Sequence, residues 1–375
     1  MQSFDVIIVG GGPAGSTCAW VLRRAGYSVL VMDKSQFPRD KVCAGWITPE
    51  VVAALDLNLD DYARQYTLQA FDSFRTGLLG SKMLTTQYGG TVSFGILRRE
   101  FDHYLLQRSN ADLQLGESCE SIEQQQGQWC INERYQAPLL IGAGGHFCPV
   151  ARRLNPKGKG RQEIVTAQEL EFELDEAQSA ACAVKAETPE LYFLPELDGY
   201  AWCVRKGRFL NIGLGRTDNH QLSKYVNDFH RYLIAKGRVP ADTPAKYHGH
   251  AYRLASDRQQ RRLLADGVML IGDAAGLAYP QSGEGIYTAV QSGLLAAKSV
   301  INAHGDYRRE VLSDYVQNLD HFFGDDALTT PSVLPKTLKL VMARLFFASQ
   351  YFSRHVLLNK WFLHQCTAKT NTSVQ

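Results

Sequence analysis

The feature that most constrains the fold is a glycine-rich turn between a short apolar run and a stretch of helical character. Gly10 ends the run FDVIIVG, and Gly12 and Gly15 follow it. The stretch from Ser16 to Gly26 has helical character, and a second apolar run, YSVLVM, leads into Asp33. This order of strand, turn, helix and strand is typical of a parallel βαβ unit. Such glycines let a pyrophosphate approach the helix amino terminus, and the terminal carboxylate can accept ribose hydrogen bonds. The pattern favours a dinucleotide site over a glycine turn without a ligand.

A second pattern of this kind lies near the other end of the chain. GVMLIGDAAG reads as a buried strand ending in small residues, and YPQSGEGI leads into a helix expected from Gly283 to His304. The whole resembles the carboxyl-terminal FAD motif of flavoproteins built like p-hydroxybenzoate hydroxylase. The resemblance implies that Asp273 binds the ribityl chain and that Pro280, Gly283 and Gly285 bring backbone against the isoalloxazine. It also implies that the positive end of the helix faces the flavin pyrimidine.

Two further residues bear on the same cofactor. Arg98 in RREFD matches the R-x-x-F-D element of these flavoproteins, where the arginine lies near the cofactor phosphates, although an arginine on a helix is usually just solvated. Gly144 in LLIGAGG departs from their pattern, because they carry there an aspartate that assists binding of FAD and reduced nicotinamide. The departure weakens the expectation that NADPH docks here as it does on a hydroxylase.

The peptide FPRDKVCAGWITP, residues 37–49, resembles the P-x-x-K-x-C-G-G element of the geranylgeranyl reductase family, flavoenzymes that saturate isoprenoid double bonds. The matching residues are Pro38, Lys41, Cys43 and Gly45, and Ala44 stands in place of the first glycine.

A second element of that family, Y-x-W-x-F-P in its substrate sheet, is matched in GYAWCVRKG by Tyr200 and Trp202, while Val204 and Arg205 replace Phe and Pro. The resemblance covers most of residues 4–305. It implies hydride transfer from reduced flavin to an unsaturated apolar substrate.

Three residues are candidates for a catalytic role. Cys43 is either a small buried side chain beside the flavin or a reactive thiol, which would need Lys41, a helix end or the flavin to lower its pKa. Tyr200 and Trp202 alternate with Ala201 and therefore share one face of a strand. They are either core aromatics or the wall of an apolar pocket facing the flavin, and the resemblance favours the pocket.

The predicted fold is α/β, with a Rossmann-like FAD-binding domain of three-layer ββα architecture, an interleaved antiparallel sheet for the substrate and a helical tail. β-prone stretches from about Leu68 to Gly95 and from Gln162 to Gly215 predict that sheet. The predicted domains comprise residues 1–70, 96–160 and 255–306 for FAD, 71–95 and 161–254 for the substrate, and 307–375 for the tail. The residues expected to contact FAD are Gly10, Gly12, Pro13, Ala14, Gly15, Asp33, Lys34, Lys41, Val42, Cys43, Ala44, Gly45, Arg98, Gly144, Gly272, Asp273, Pro280, Gly283, Glu284, Gly285 and Ile286.

Composition limits the classes of partner and the cellular compartment that we expect. The formal charge of +2 provides no whole-protein attraction to nucleic acid. Eight cysteines without a CxxC pair argue against a zinc site and for a reducing compartment, and the first apolar run breaks into glycines too early for a signal peptide. A cytoplasmic enzyme acting on a small apolar substrate is expected, with NAD(P)H or a separate reductase as electron donor.

Two other functions remain open at this stage. One is an FAD monooxygenase or hydroxylase, with a halogenase disfavoured because neither the first tryptophan nor the proline of W-x-W-x-I-P is present in YAWCVR. The other is a non-enzymatic flavin-binding redox module that uses Cys43.

The last 45 residues, from Pro331 to Gln375, contain basic but no acidic side chains. Apolar residues recur at helical spacing, which predicts a helix with one apolar face. Such a helix either packs on the flavin domain or rests on anionic lipid, so a peripheral membrane contact is a second expectation. The basic residues are Lys336, Lys339, Arg344, Arg354, Lys360 and Lys369, and the apolar ones are Leu338, Val341, Met342, Leu345 and Phe346.

Overall fold

The computed structural model describes residues 1–156, 164–218, 220–256, 261–324 and 336–364, except for the side chains of residues 336–339. Gln162, the expected start of the second β-rich stretch, lies outside these residues. So do Pro331, the beginning of the basic tail, and Cys366 and Lys369 near its end.

In chain order the strands are β1 (Gln2–Ser3), β2 (Val6–Val9), β3 (Val29–Asp33), β4 (Trp46–Ile47), β5 (Leu68–Phe71), β6 (Ser73–Leu78), β7 (Leu84–Gln87), β8 (Ser93–Ile96), β9 (Asp112–Leu115), β10 (Ile122–Gln125), β11 (Gln128–Ile131), β12 (Tyr135–Ala137), β13 (Leu139–Gly142), β14 (Ile164–Glu173), β15 (Glu190–Phe193), β16 (Gly199–Lys206), β17 (Phe209–Arg216), β18 (His248–Arg253), β19 (Leu264–Ala265) and β20 (Val268–Leu270). The α-helices are α1 (Pro13–Arg24), α2 (Pro49–Ala54), α3 (Leu59–Ala63), α4 (Arg98–Arg108), α5 (Pro149–Leu154), α6 (Glu176–Ala181), α7 (Leu222–Ala235), α8 (Ile286–Asn302), α9 (Ser313–Phe323) and α10 (Lys336–Phe347). A π-helix, Phe352–Phe362, follows α10 and is called the tail π-helix.

A mostly parallel sheet in the order β19-β20-β13-β2-β3-β9 forms the middle layer of the first domain. Its central strands β2 and β13 are buried along their whole length, which explains why they read as continuous apolar runs. A second sheet, β1-β12-β11-β10, and the helices α1 and α8 pack with it in one core. These layers confirm the predicted Rossmann-like α/β fold.

Two helix starts differ from the prediction. The first helix begins at Pro13 rather than Ser16, because proline is well suited to a first helical position. The helix expected from Gly283 begins at Ile286 instead. Gly283 has φ +68°, a left-handed conformation that an α-helix does not contain, so Gly283 and the two residues after it precede α8 as non-helical chain.

The large sheet has the order β18-β14-β17-β16-β15-β6-β7, and its strand pairs are antiparallel except β15 with β6. The helix α7 packs on one face, where Ala201, Cys203 and Ile212 share a core with Phe229. The opposite face carries Tyr200 and the alternate residues of the strands beside it. A small sheet, β4-β8-β5, lies at the edge of this second face.

The tail packs on that same second face. Phe347 of α10 and Leu357 and Phe362 of the tail π-helix share a core with Phe74 and Trp202 of the large sheet. The helical character expected beyond Tyr307 is present in α9, α10 and the tail π-helix, after a non-helical stretch that ends at Leu312. Within the described ranges, no helix combines the length and the apolar character needed to cross a bilayer.

Candidate functional site

A cleft of about 560 Å³ lies at the carboxyl ends of β2, β3 and β13, between the parallel sheet and the large sheet. Ligands of such folds bind at this edge, where the strands end and the helix amino termini begin. Most of the predicted site residues line the cleft. They are Gly10, Gly12, Pro13, Ala14, Asp33, Lys34, Lys41, Val42, Cys43, Ala44, Arg98, Gly144, Tyr200, Trp202, Asp273, Gly283, Glu284, Gly285 and Ile286.

The first glycines shape one end of the cleft. A side chain on Gly10 would lie 2.3 Å from the carbonyl oxygen of Ala143, and one on Gly15 would lie 2.0 Å from that of Gly10. Gly10 and Gly15 therefore allow close backbone packing. Among the described residues, a Cβ atom on Gly12 would meet only Arg39, at 3.5 Å, so the backbone there is open to the cleft.

The same end has the chemistry that a pyrophosphate needs. Within the described chain, α1 carries no acidic residue in its first turn and no side chain that caps its amino terminus at Gly12. Its backbone N–H groups and positive dipole end are thus available to an anion. Asp33 accepts hydrogen bonds from the backbone N–H groups of Gly11 and Ser35, both at 2.9 Å, which holds its carboxylate at the edge of the cleft.

The other end of the cleft contains Asp273, and its neighbours are a histidine and a lysine. His250 Nε2 lies 3.6 Å from Asp273 Oδ2, and Lys41 lies nearby. Burial by itself would raise the pKa of Asp273, but His250 and the charge of Lys41 hold it below its usual value. Burial lowers the pKa of Lys41 to about 8, against the attraction of Asp273. Asp273 is therefore an ionised acceptor, as binding of a polyhydroxyl chain requires.

One buried polar atom near Asp273, Glu284 Oε2, lacks a hydrogen-bond partner among the described residues. Buried polar atoms are rarely left unpaired, so this position indicates that a polar ligand completes the site. Glu284 Oε1 accepts from the backbone N–H of Tyr287 at 2.6 Å, and burial raises the pKa of this carboxyl to about 7. An anion-binding end and a hydroxyl-binding end in one cleft fit the two halves of FAD.

Arg98 is buried rather than solvated. Its guanidinium makes two hydrogen bonds to the Asp102 carboxylate, at 2.8 and 2.9 Å, and reaches the thiol of Cys43. Burial would lower the pKa of Arg98, but Asp102 and Cys43 raise it above its usual value. Arg98 thus places a fixed positive charge beside Cys43, within the cleft.

Four predicted contact residues lie outside the cleft wall. Gly15 packs against Gly10, and a Cβ atom on Gly272 would lie 2.9 Å from that of Ala14, so both glycines bring α1 close to its neighbours. Gly45 packs against the carbonyl of Ile96. Pro280 lines a second cavity that adjoins the cleft.

This apolar cavity has a volume of about 510 Å³ and lies between the large sheet and the tail. It shares five lining residues with the cleft: Tyr200, Trp202, Tyr252, Ser282 and Gly283. Its opposite wall is built by α10 and the tail π-helix. The tail residues that line it are Met342, Ala343, Phe346, Phe347, Phe352 and Trp361.

The shared wall is held by hydrogen bonds. The Tyr200 hydroxyl donates to the carbonyl of Ser282 at 2.6 Å, and the Trp202 indole N–H donates to Asn211 at 2.6 Å. Trp202 also lies over Gly213 of the neighbouring strand, where a Cβ atom would be 2.2 Å from the indole ring. The two aromatics predicted to share a strand face therefore form a wall of both cavities.

Sequence reasoning missed His250 and Tyr252. They alternate on β18, and the register of the large sheet places them on the cleft side, opposite Ala167 and Val165. The Tyr252 hydroxyl lies against Gly283, where a Cβ atom would be only 2.3 Å away. The alternation in HGHAY was the available signal. For the tail residues that line the apolar cavity, the sequence offered no signal beyond apolar residues at helical spacing.

Residues 8–67 match the family model of the NAD(P)-binding Rossmann-like domain, and residues 108–322, a span longer than half of the chain, match that of the FAD binding domain. The digeranylgeranylglycerophospholipid reductase of Methanocaldococcus jannaschii is 25% identical over 336 residues, covering 83% of this chain and 81% of that protein.

Two solved structures share the fold. A geranylgeranyl bacteriochlorophyll reductase-like protein from Thermoplasma acidophilum has a TM-score of 0.73 at 21% identity, covering 94% of this chain and 89% of that one. The halogenase PltM, in complex with phloroglucinol and FAD, has a TM-score of 0.69 at 15% identity, covering 99% and 84%.

Proposed function

Because the chain belongs to the geranylgeranyl reductase family of FAD-dependent oxidoreductases, we propose that it reduces carbon–carbon double bonds of an apolar, isoprenoid-like substrate. The observation that carries the proposal is the apolar cavity, which meets the flavin cleft along Tyr200, Trp202 and Gly283. Its volume of about 510 Å³ lies within the range of ligand pockets, roughly 300–1,000 Å³. Its walls are mostly aromatic and aliphatic, which suits a hydrocarbon chain, and Asp198 and Arg216 add charged groups that could meet a polar end of the substrate.

Bound, reduced FAD would supply the hydride, and a nearby acid or water would supply the proton that completes the saturated bond. The chain would hold the cofactor through Gly12 and the start of α1 at the phosphates and through Asp273 at the ribityl chain. Tyr200 and Trp202 would orient the double bond at the junction of the two cavities. Burial raises the pKa of Tyr200 and of Tyr252, so both hydroxyls keep their protons at neutral pH.

The relatives' names support the substrate class. The Methanocaldococcus jannaschii relative is named as a reductase of digeranylgeranylglycerophospholipid, a lipid with isoprenoid chains. The likeness to a halogenase concerns the fold and leaves the monooxygenase as the competing outcome of the test. NAD(P)H and a separate reductase remain the two predicted electron donors.

The test is anaerobic reoxidation of the dithionite-reduced holoenzyme, followed by flavin absorbance. Digeranylgeranylglycerophospholipid in detergent should reoxidise the flavin and gain two hydrogens for each double bond reduced, measured by mass spectrometry. The fully saturated lipid is the matched control and should leave the flavin reduced. Reoxidation by oxygen alone, with a hydroxylated lipid as product, would assign the protein to the monooxygenases.

We also propose that the apolar cavity is reached from an anionic membrane surface. Val341 and Leu345, one helical turn apart on α10, are 57% and 70% exposed, and Tyr351 is 72% exposed. Arg344 is exposed among them, whereas Arg354 lies partly buried against Tyr88. Large apolar side chains beside a basic one favour the interface of an anionic bilayer. Neighbouring Met342 and Phe346 line the cavity, so a docked α10 would place it beside the lipid.

A further inference from the structure

A polar network lies beneath the Cys43 loop, which comprises residues 42–45, and it is buried except for one partly exposed member, Glu171. It is built on the cleft side of the large sheet from Glu169 and Glu171 of β14, Lys206 of β16 and Asn211 of β17. Glu171 and Asn211 are direct cross-strand partners in the sheet register, so their side chains meet on one face. Buried polar groups in the middle of a sheet are costly unless they are paired, and this network pairs them with the loop.

Lys206 is completely buried and makes three hydrogen bonds. Its Nζ donates to the carbonyl oxygens of Ala44 at 3.1 Å and Ile96 at 3.0 Å and to the carboxylate of Glu171. All three donors of the ammonium group are therefore in use. The side chain passes between two glycines, because Cβ atoms on Gly45 and Gly95 would lie 2.5 and 2.7 Å from Lys206 atoms.

Asn211 holds the loop from the next strand. Its Nδ2 donates to the carbonyl of Cys43 at 3.2 Å and also contacts Glu169 and Glu171, at 3.2 and 3.1 Å. Its Oδ1 accepts from the Trp202 indole at 2.6 Å. Glu169 lies beside the backbone N–H of Cys43. Asn211 thus holds the Cys43 carbonyl and connects it to Trp202.

We propose that Lys206 and Asn211 are positioning residues, which hold the backbone of the Cys43 loop in the flavin cleft and tie it to the Trp202 wall of the apolar cavity. The reaction that this role serves is the one given under the proposed function, and to that extent the role rests on it. The contacts themselves involve only this chain and can be tested without a substrate. Removal of either side chain leaves at least one loop carbonyl without its donor, so the loop should open more often.

The experiment measures how fast iodoacetamide alkylates Cys43 in the FAD-loaded holoenzyme, by mass spectrometry of the labelled peptides. Cys119 is the internal reference, because it lines the same cleft and is partly buried, yet lies outside the network. The variants are Asn211→Leu and Lys206→Met, with Asn211→Ser as a milder change. The matched control is Arg208→Met, which breaks an exposed ion pair with Glu173 at the end of the same strands.

In the network variants the ratio of Cys43 to Cys119 labelling should rise about fivefold, as expected for the loss of roughly one net hydrogen bond. In Arg208→Met the ratio should stay at the wild-type value. An unchanged ratio in the variants that retain FAD and a cooperative thermal transition would overturn the proposal, and so would an equal rise in Arg208→Met. If the labelling ratio rises in the network variants while the wild-type holoenzyme does not reduce the lipid, the proposed function fails and the positioning role stands.

Discussion

At the residue scale, Glu169 makes stability depend on pH. Burial, and then the charge of Glu171, raise the pKa of Glu169 from 4.5 to about 8. Between these values the folded state binds more protons than the unfolded state, so this residue makes the free energy of unfolding fall as pH rises. We expect Glu169→Gln to remove that contribution. Urea unfolding of the holoenzyme at pH 5, 6, 7 and 8 should show the variant gaining stability relative to the wild type towards pH 8.

The control for this prediction is Glu196→Gln, which changes an exposed glutamate. It should follow the pH dependence of the wild type. If wild type and Glu169→Gln gave parallel curves over this range, the carboxyl of Glu169 would not titrate as its burial requires.

At the element scale, the tail π-helix joins the two cavities. Its consecutive residues Trp361 and Phe362 line the apolar cavity and the flavin cleft, respectively. The Phe362 ring stacks on Trp46, with centroids 5.6 Å apart, and meets Tyr200 edge-on at 5.4 Å. We expect Phe362→Ala to lower the free energy of unfolding by about 3 kcal/mol, through lost burial and the cavity that it leaves. Urea unfolding of the holoenzyme measures this change in the free energy of unfolding.

The comparison for this element is Tyr351→Ala, just before the tail π-helix. Tyr351 is 72% exposed, so the substitution should change the free energy of unfolding by no more than about 0.5 kcal/mol. Similar losses in the two variants would mean that the aromatic contacts of Phe362 contribute little.

At the scale of the whole molecule, the proposed membrane surface is testable by co-sedimentation with phospholipid vesicles. The full-length protein should bind anionic vesicles at low salt and less at high salt, because salt screens the attraction. The double variant Leu345→Ser, Tyr351→Ser should bind less, since it removes two exposed apolar side chains from the surface. Removing the tail would uncover the large sheet, so point substitutions give the cleaner test.

Leu113→Ser provides the matched control, because Leu113 is an exposed leucine on β9 of the other domain. It should bind vesicles as the wild type does. Failure of the wild type to sediment with anionic vesicles would leave the exposed face of α10 without a role in lipid binding.

The local features of the flavin cleft could be predicted from sequence alone. Gly10, Gly15 and Asp33 belong to one strand–turn–helix–strand unit, and Asp273 lies in the short 3₁₀ turn that follows β20 in the second motif. Each of these depends on interactions within a short stretch of chain, where glycine content and the apolar period determine the geometry. The alternation of Tyr200 and Trp202 likewise predicted a shared face, since side chains on a strand alternate.

Only the tertiary structure decided which residues complete the site. His250 reaches the cleft and Asn211 reaches the Cys43 loop because the register of the large sheet brings β18, β14 and β17 side by side, and periodicity within one strand does not contain that register. The tail covers the sheet for a similar reason: an apolar helical face specifies burial, while its partner depends on the packed shape of the domain. Sequence therefore determined the cofactor-binding turns, and long-range packing decided the wall of the apolar cavity and the support of the Cys43 loop.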